Sequence, residues 1–140
     1  MRRGPKETDF VLDSFAYLAY LNDESGAETV EQLLASAAHG TSRGWMTAIN
    51  AGEVLYATER RRGPNAARAA IALLDLLRIR VVDADRQLTF AAAHIKAGHA
   101  LSYSDAFAAA LARSLNAVLI TGDPEFRSVE SLIRIEWLET

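Results

Sequence analysis

Short apolar segments of strand length alternate with longer segments of helical pattern along almost the whole chain, and this alternation limits the fold more than any other feature. The predicted strands are Asp9–Leu12, Trp45–Met46, Ile79–Val82, Ala117–Thr121 and Ile133–Trp137. The predicted helices are Ser14–Leu21, Ala27–Ala38, Thr47–Arg61 with Thr47 as its cap, Asn65–Leu77, Asp85–Ala97 and Ser102–Leu115. Strands that alternate with helices form βαβ units, so we expect an α/β fold with a central, mostly parallel β-sheet and helices on both faces.

The length and composition fit one domain. The chain has 140 residues, of which 50% are hydrophobic and 24% are charged, as in ordinary globular proteins. We expect the polar residues 1–8 to be a flexible N-terminal segment and residues 9–140 to form the domain. The sequence has no cysteine, which excludes a disulfide framework, a thiolate nucleophile and a cysteine-based zinc site, and favours a reducing, cytoplasmic compartment.

An apolar run near the N-terminus, Phe10–Leu21, raises the question of a signal peptide or membrane span. Asp13 interrupts this run, and the run is shorter than the roughly 20 residues that a spanning helix needs. We therefore interpret it as a buried strand that leads into a helix, and expect no association with membranes.

The formal net charge of −3 argues against a broad surface for binding nucleic acid, which is usually basic. Any contact with nucleic acid is therefore expected to be local. The candidate contacts are Arg43, Arg60, Arg61 and Arg62, with Arg78 and Arg80 as further cationic positions. The alternative is that the three consecutive arginines are solvated charges at a helix C-terminus, where cations are favoured in any protein.

Four carboxylates occupy positions that the predicted topology brings to one edge of the sheet. Asp13 and Asp123 each follow a predicted strand, whereas Glu53 and Asp105 lie in the first turns of two helices. In open parallel sheets the ligand site lies beyond the carboxyl ends of the strands. We therefore expect these four side chains to converge.

Each of these acids also has a purely structural interpretation. Asp13 can cap the helix that begins at Ser14, and Asp123 followed by Pro124 is a common helix start. Ser102 and Asp105 match a capping box. Glu53 has partly apolar neighbours on its helix face, so it is either a surface carboxylate near the rim of that face or is held there for a reason.

Taken together, the four acids indicate a cation site. Two unit charges about 5 Å apart repel by roughly 3 kcal/mol at an effective dielectric constant of 20. A cation among them relieves this repulsion, and oxygen ligands select hard ions such as Mg²⁺ or Mn²⁺. Such ions suit hydrolysis of phosphodiesters, and the sequence shows no competing nucleophile triad, glycine-rich phosphate loop or histidine-rich metal motif.

The four acidic segments, in this order and spacing, resemble those of PIN domains. The segments begin at Phe10, Asn50, Ser104 and Leu119, and the resemblance covers residues 9–137. It implies that Asp13, Glu53, Asp105 and Asp123 are catalytic and bind Mg²⁺ or Mn²⁺, with Ser14 and Thr121 in support. Single-domain PIN proteins of this length are mostly VapC-type toxins. The resemblance therefore implies an endoribonuclease that cleaves RNA, is inhibited by a cognate antitoxin and forms a homodimer.

Three alternatives remain at the level of sequence. A different Mg²⁺-dependent phosphohydrolase would place a second Asp two residues after Asp13, where this chain has Phe15. A receiver-like signalling domain would need a lysine late in the chain, but Lys96 is the last one and lacks a matching context. A PIN-like module that only binds RNA or protein would be natural if acidic positions were missing. The sequence assigns no role to His99.

Overall fold

Five parallel strands form the central sheet in the part of the chain that the computed structural model describes, residues 9–139. The strands are β1 (Phe10–Leu12), β2 (Gly44–Thr47), β3 (Ile79–Val82), β4 (Val118–Thr121) and β5 (Ile135–Trp137). Their order across the sheet is β3-β2-β1-β4-β5, and each pair of neighbours is parallel. The predicted α/β class is confirmed, whereas the predicted flexible segment 1–8 lies outside the described residues.

Six α-helices and one 3-10 helix connect these strands within residues 9–139. The α-helices are α1 (Ser14–Leu21), α2 (Ala27–Ala38), α3 (Ala48–Arg62), α4 (Pro64–Leu76), α5 (Arg86–Gly98) and α6 (Tyr103–Leu115). The helix start expected at Asp123 and Pro124 is the beginning of the 3-10 helix, Pro124–Val129, and the last strand begins two residues later than predicted. Among these residues no helix has the length and apolar character needed to cross a membrane.

The sheet separates two hydrophobic cores, because alternate residues of its strands point to opposite faces. Val11 and Leu119 pack with α5, α6 and Phe126 on one face. Phe10, Leu12 and Ile120 face the other core. That second core is completed by side chains from α1, α2, α3 and α4, namely Ala16, Tyr17, Val30, Leu34, Ala37, Ala51, Val54 and Leu74. Helices therefore cover both faces, as predicted.

Helix α6 packs closely against the sheet through a run of small side chains. Its buried residues include Ala106 and Ala108–Ala112, with Leu111 among them. Alanine lets a helix axis approach its neighbour closely, because only a methyl group separates the two backbones. This approach fixes the N-terminus of α6, and with it Asp105, above the centre of the sheet.

The strand order places a topological switch point at the centre of the sheet. The chain proceeds from β1 outward through β2 to β3, then returns to β4 on the other side of β1 and continues to β5. Ligands of open α/β sheets bind at such a reversal, beyond the carboxyl ends of the strands. Here those ends are Leu12, followed by Asp13, and Thr121, followed after one residue by Asp123.

Two glycines of the fold predict opposite responses to the same substitution. A Cβ at Gly44 in β2 would lie 2.5 Å from Ile79 Cδ1 and 2.7 Å from Phe10 Cζ, so Gly44→Ala should lower the free energy of unfolding by about 1–3 kcal/mol through overpacking. Gly52 in α3 has no neighbour within 4 Å of such a Cβ. Gly52→Ala should therefore raise that free energy by about 0.5–1 kcal/mol, since glycine disfavours a helix interior.

Urea denaturation of both variants beside the wild type measures these changes. A Gly44→Ala protein that is as stable as the wild type would contradict the close packing of β1, β2 and β3 at this position.

Candidate active site at the carboxyl ends of the strands

Three carboxylates converge above the switch point. Asp105 lies in the first turn of α6 and is buried, Asp123 precedes the 3-10 helix, and Glu125 is exposed in the first turn of that helix. One carboxylate oxygen from each of the three lies within 4.8 Å of the others. Glu125 is absent from the sequence-based prediction. Its only local signal is its place two residues after Asp123 at a helix start.

Asp13 lies beside this group, at the end of β1, with 1% of its surface exposed. Its Oδ1 accepts a hydrogen bond from the backbone N–H of Ala16 at 2.8 Å, so it caps α1 as its structural interpretation predicts. Its Oδ2 accepts a hydrogen bond from Thr121 Oγ1 at 2.5 Å. Thr121 Oγ1 in turn accepts one from the backbone N–H of Asp123 at 3.0 Å. A single hydroxyl of β4 thus connects Asp13 with the start of the segment that carries Asp123.

Glu53 reaches the site from α3 and is held by two donors. Its Oε1 accepts from Asn50 Nδ2 at 3.0 Å and its Oε2 accepts from Ser104 Oγ at 2.9 Å. Sequence analysis identified neither donor. The only signals were that Asn50 lies about one turn before Glu53 and that Ser104 adjoins Asp105. Ser104 belongs to a different helix, so only the packing of α3 beside α6 creates this contact.

The N-terminus of α6 contacts carboxylates on both sides. The backbone N–H of Ser102 donates to Glu125 Oε1 at 3.0 Å, and Ser102 Oγ accepts from the N–H of Asp105 at 3.2 Å. On the other side Ser104 Oγ donates to Glu53. Asp123 also caps its own helix, through the N–H of Glu125 at 2.9 Å. The caps predicted at Asp13, Asp123 and Ser102 are confirmed, and each leads into the acidic cluster. The N–H of Ser102, which a complete capping box would pair with Asp105, donates to Glu125 instead.

Burial and mutual repulsion raise the pKa values of two of these acids. Burial raises the pKa of Asp13 to about 7, and the charges of Asp105 and Asp123 add to this, while the hydrogen bonds from Thr121 and Ala16 oppose it. Burial also raises the pKa of Asp105 to about 7, with further contributions from the charges of Asp123, Glu125 and Glu53. The five carboxylates therefore lie close enough to act as one electrostatic group.

The donor set of this group fits a hard divalent cation. Oxygen ligands from carboxylates are those that Mg²⁺ and Mn²⁺ prefer, and neither histidine nor cysteine takes part in the cluster. Asp105, Asp123 and Glu125 are the residues placed to hold such an ion directly. Asp13 and Glu53 border them and add negative charge.

The other predicted site residues lie at varying distances from the cluster. Ser14 begins α1 next to Asp13 and is partly buried. Arg43 pairs with Asp9 through two hydrogen bonds, of 3.2 and 3.0 Å, at the amino end of β1. This is the edge of the sheet opposite to the acids, and the contact of Arg43 with RNA stays a prediction.

Two further sequence features acquire a place in the structure. The arginines 60–62 form the exposed last turn of α3, and the guanidinium of Arg60 lies 5.0 Å from the ring centroid of Tyr56. Their contact with RNA stays a prediction. His99 places its Nδ1 3.0 Å from the carbonyl oxygen of Ile95, so its ring closes the end of α5.

The raised pKa values predict how stability depends on pH without metal. Asp13 and Asp105 keep their protons up to about pH 7 when folded but lose them near the ordinary pKa of 3.8 when unfolded. Across this window the folded state binds more protons, so the free energy of unfolding should fall as the pH rises from about 4 to about 7.

Urea denaturation at several pH values in the presence of a chelator tests this dependence. Asp105→Asn, which cannot ionise, should flatten the fall, and saturating Mn²⁺ should flatten it as well by compensating the negative charge. A wild-type stability that rises steadily over the same window would contradict the proposed coupling.

The chain is similar to known proteins both in sequence and in fold. A sequence model of the PIN domain matches residues 10–132. No curated protein of similar sequence was found.

Several solved structures share the fold over nearly their full length. A chain of VapBC2 from Rickettsia felis, bound to a promoter DNA fragment, superposes with a TM-score of 0.71 at 18% identity, covering 94% of this chain and 99% of that one. For DNA-bound VapBC from Salmonella typhimurium the TM-score is 0.70 at 24% identity, covering 92% and 97%. For VapC20 from Mycobacterium tuberculosis, a toxin that cleaves the sarcin-ricin loop, it is 0.69 at 23% identity, covering 87% and 95%.

Proposed function

The chain belongs to the PIN-domain family, and from this premise we propose that it is a Mg²⁺- or Mn²⁺-dependent endoribonuclease, the toxin of a type II toxin–antitoxin pair. The observation that carries the proposal is the convergence of Asp105, Asp123 and Glu125 at the switch point, with Asp13 and Glu53 beside them. Such a concentration of negative charge suits a divalent cation and a phosphodiester substrate.

In this proposal the chain supplies the ligands and their orientation. Asp105, Asp123 and Glu125 would hold the ion, and Asp13 and Glu53 would add negative charge beside it. A bound ion lowers the pKa of a water molecule and stabilises charge on the phosphate oxygens. Thr121 fixes both Asp13 and the backbone that precedes the 3-10 helix, and Ser14 adjoins Asp13. The arginines 60–62 are candidate contacts for the RNA strand beyond the site.

The alternative function is a catalytically silent PIN-like module that binds RNA or protein. Two observations favour the nuclease over it. All four acidic positions of the family pattern are occupied, and the strongly raised pKa values of Asp13 and Asp105 are typical of functional rather than structural carboxylates. In a module without catalysis, the buried cluster would only lower the free energy of unfolding as the pH rises from about 4 to about 7.

The proposed partners follow from the same comparisons. Two of the similar structures are of VapBC assemblies, which are described as bound to DNA. By analogy we propose that a cognate antitoxin protein binds and inhibits this chain. A substrate of cellular RNA would place the reaction in the cytoplasm.

Matched substitutions of two helix-capping aspartates should separate catalysis from folding. Asp13 and Asp85 each accept a hydrogen bond from a backbone N–H at 2.8 Å at the start of a helix, but only Asp13 borders the acidic cluster. Asparagine is a comparable N-cap. Asp13→Asn should lower RNA cleavage by about 100-fold or more, because the site loses a charge, whereas Asp85→Asn should leave it unchanged.

The assay is cleavage of RNA by the chain without antitoxin in the presence of Mn²⁺, together with growth arrest on induction. Asp105→Asn should behave like Asp13→Asn. Wild-type cleavage in Asp105→Asn would contradict the metal-nuclease mechanism, and no cleavage by the wild type under any metal condition would favour the silent module.

We also propose that the chain forms a symmetric homodimer. Large apolar side chains remain exposed on several elements of the single chain, including Leu76 at 80%, Phe90 at 66% and Tyr56 at 51%. Exposed apolar side chains of this kind mark interaction surfaces when they are contiguous. Light scattering over a concentration series should give twice the chain mass. A strict monomer at high micromolar concentration would remove the dimer and leave the catalytic proposal intact.

A further inference from the structure

We infer that Asn50 is a positioning residue, which together with Ser104 fixes the carboxylate of Glu53 against the helix that carries Asp105. The inference rests on the proposed function, since it assigns the groups that orient one wall of the proposed metal centre. It gives a role to two residues that begin acidic segments of the sequence but to which neither the acidic pattern nor the resemblance assigned one.

The side chain of Asn50 is fully buried, and each of its polar atoms has a partner. Its Oδ1 accepts from Thr47 Oγ1 at 2.6 Å, and its Nδ2 donates to Glu53 Oε1 at 3.0 Å and to the carbonyl oxygen of Ser104 at 3.2 Å. A carboxylate and a carbonyl only accept hydrogen bonds. An amide nitrogen therefore satisfies both at once, which neither Asp nor an apolar residue would do.

Ser104 completes the arrangement from the other helix. Its Oγ donates to Glu53 Oε2 at 2.9 Å, while its backbone carbonyl accepts from Asn50. Glu53, Asn50 and Ser104 thus form a closed ring of hydrogen bonds between α3 and the first turn of α6. The next residue after Ser104 is Asp105, and the charge of Glu53 contributes to the raised pKa of that group.

This ring of hydrogen bonds holds the flexible side chain of Glu53 in one orientation. A glutamate loses considerable rotamer freedom when it is ordered, so a single weak contact would leave it mobile. Here Oε1 accepts from Asn50 in the same helix, α3, and Oε2 accepts from Ser104 in α6. Each oxygen keeps a second lone pair that is free for an ion or for water bound to an ion. Burying an amide is unfavourable unless it is fully hydrogen-bonded, and the bonds that satisfy Asn50 are those that orient Glu53.

A purely structural role for Asn50 predicts a different outcome from a positioning role. If Asn50 only ties α3 to α6, its removal lowers stability and leaves the affinity for metal unchanged. If it acts through Glu53, its removal weakens metal binding, and the effect disappears once Glu53 itself has lost its charge.

The test is a double-mutant cycle on Mn²⁺ binding, measured by isothermal titration calorimetry on the wild type, Asn50→Ala, Glu53→Gln and the double variant. Asn50→Ala should weaken Mn²⁺ binding about 10- to 100-fold, the usual effect of losing a group that orients a ligand. The double variant should bind no more weakly than Glu53→Gln alone, because the two residues act as one unit. Ser104→Ala, which removes the donor to the other oxygen, should also weaken binding.

The control is Tyr17→Phe, together with thermal melts of all variants without metal. The hydroxyl of Tyr17 donates a buried hydrogen bond to the carbonyl oxygen of Ala70 in α4 at 2.7 Å, within the second core. Its loss should lower the melting temperature and leave Mn²⁺ binding unchanged. The comparison separates a general loss of stability from a change at the site.

Each result has one meaning. Wild-type affinity in Asn50→Ala, or a further loss in the double variant equal to that of Asn50→Ala alone, overturns the inference and leaves the proposed function standing. Absence of Mn²⁺ binding by the wild type overturns the proposed function and the inference with it. If Asn50→Ala does not fold, the same cycle is run with Ser104→Ala, and wild-type affinity in that variant overturns the inference.

Discussion

The buried carboxylate of Asp13 is the point on which both the fold and the candidate site depend. It lies at the end of the central strand and holds two donors, the N–H of Ala16 and the hydroxyl of Thr121. The first bond starts α1 and the second joins β1 to β4 across the switch point. These bonds partly offset the cost of burying a charge, and burial still raises the pKa of Asp13 to about 7. Asp13 therefore links β1 to β4, and its ionised form remains unfavourable there unless a cation lies nearby.

Helix capping and site formation use the same residues in this protein. Asp13 and Asp123 accept backbone N–H groups at helix starts, and Ser102 caps the helix that carries Asp105. Helix N-termini carry partial positive charge, so they are favourable places to gather carboxylates. In a parallel sheet they also begin at the carboxyl ends of the strands. The capping roles of Asp13, Asp123 and Ser102 are therefore correct and still compatible with a shared function.

The site is held from two directions at the start of α6. Glu53 contacts it from α3 through Ser104, and Glu125 contacts it from the 3-10 helix through Ser102. The alanines of α6 let this helix pack close to the sheet, and this packing positions Ser102 and Ser104 for these contacts. Membership of the PIN-domain family agrees with this architecture, and the similar solved structures share the fold at identities of 18 to 24%. Fold similarity at such identities leaves the chemistry to be argued from the residues of this chain.

The sequence by itself determined the α/β class, the order of strands and helices, the ends of Ser14–Leu21 and Ala27–Ala38, and the caps, because hydrophobic periodicity and capping are local properties of a chain. It also predicted that Asp13 and Asp123 each follow a strand, whereas the adjacency of these two strands is visible only in the sheet. Only the tertiary structure decided that Glu125 joins Asp105 and Asp123, that Asn50 and Ser104 hold Glu53, and that Arg43 lies at the opposite edge. These contacts join residues far apart in the chain or depend on how a short helix turns. They arise when the helices and strands pack together, and no local pattern encodes that packing.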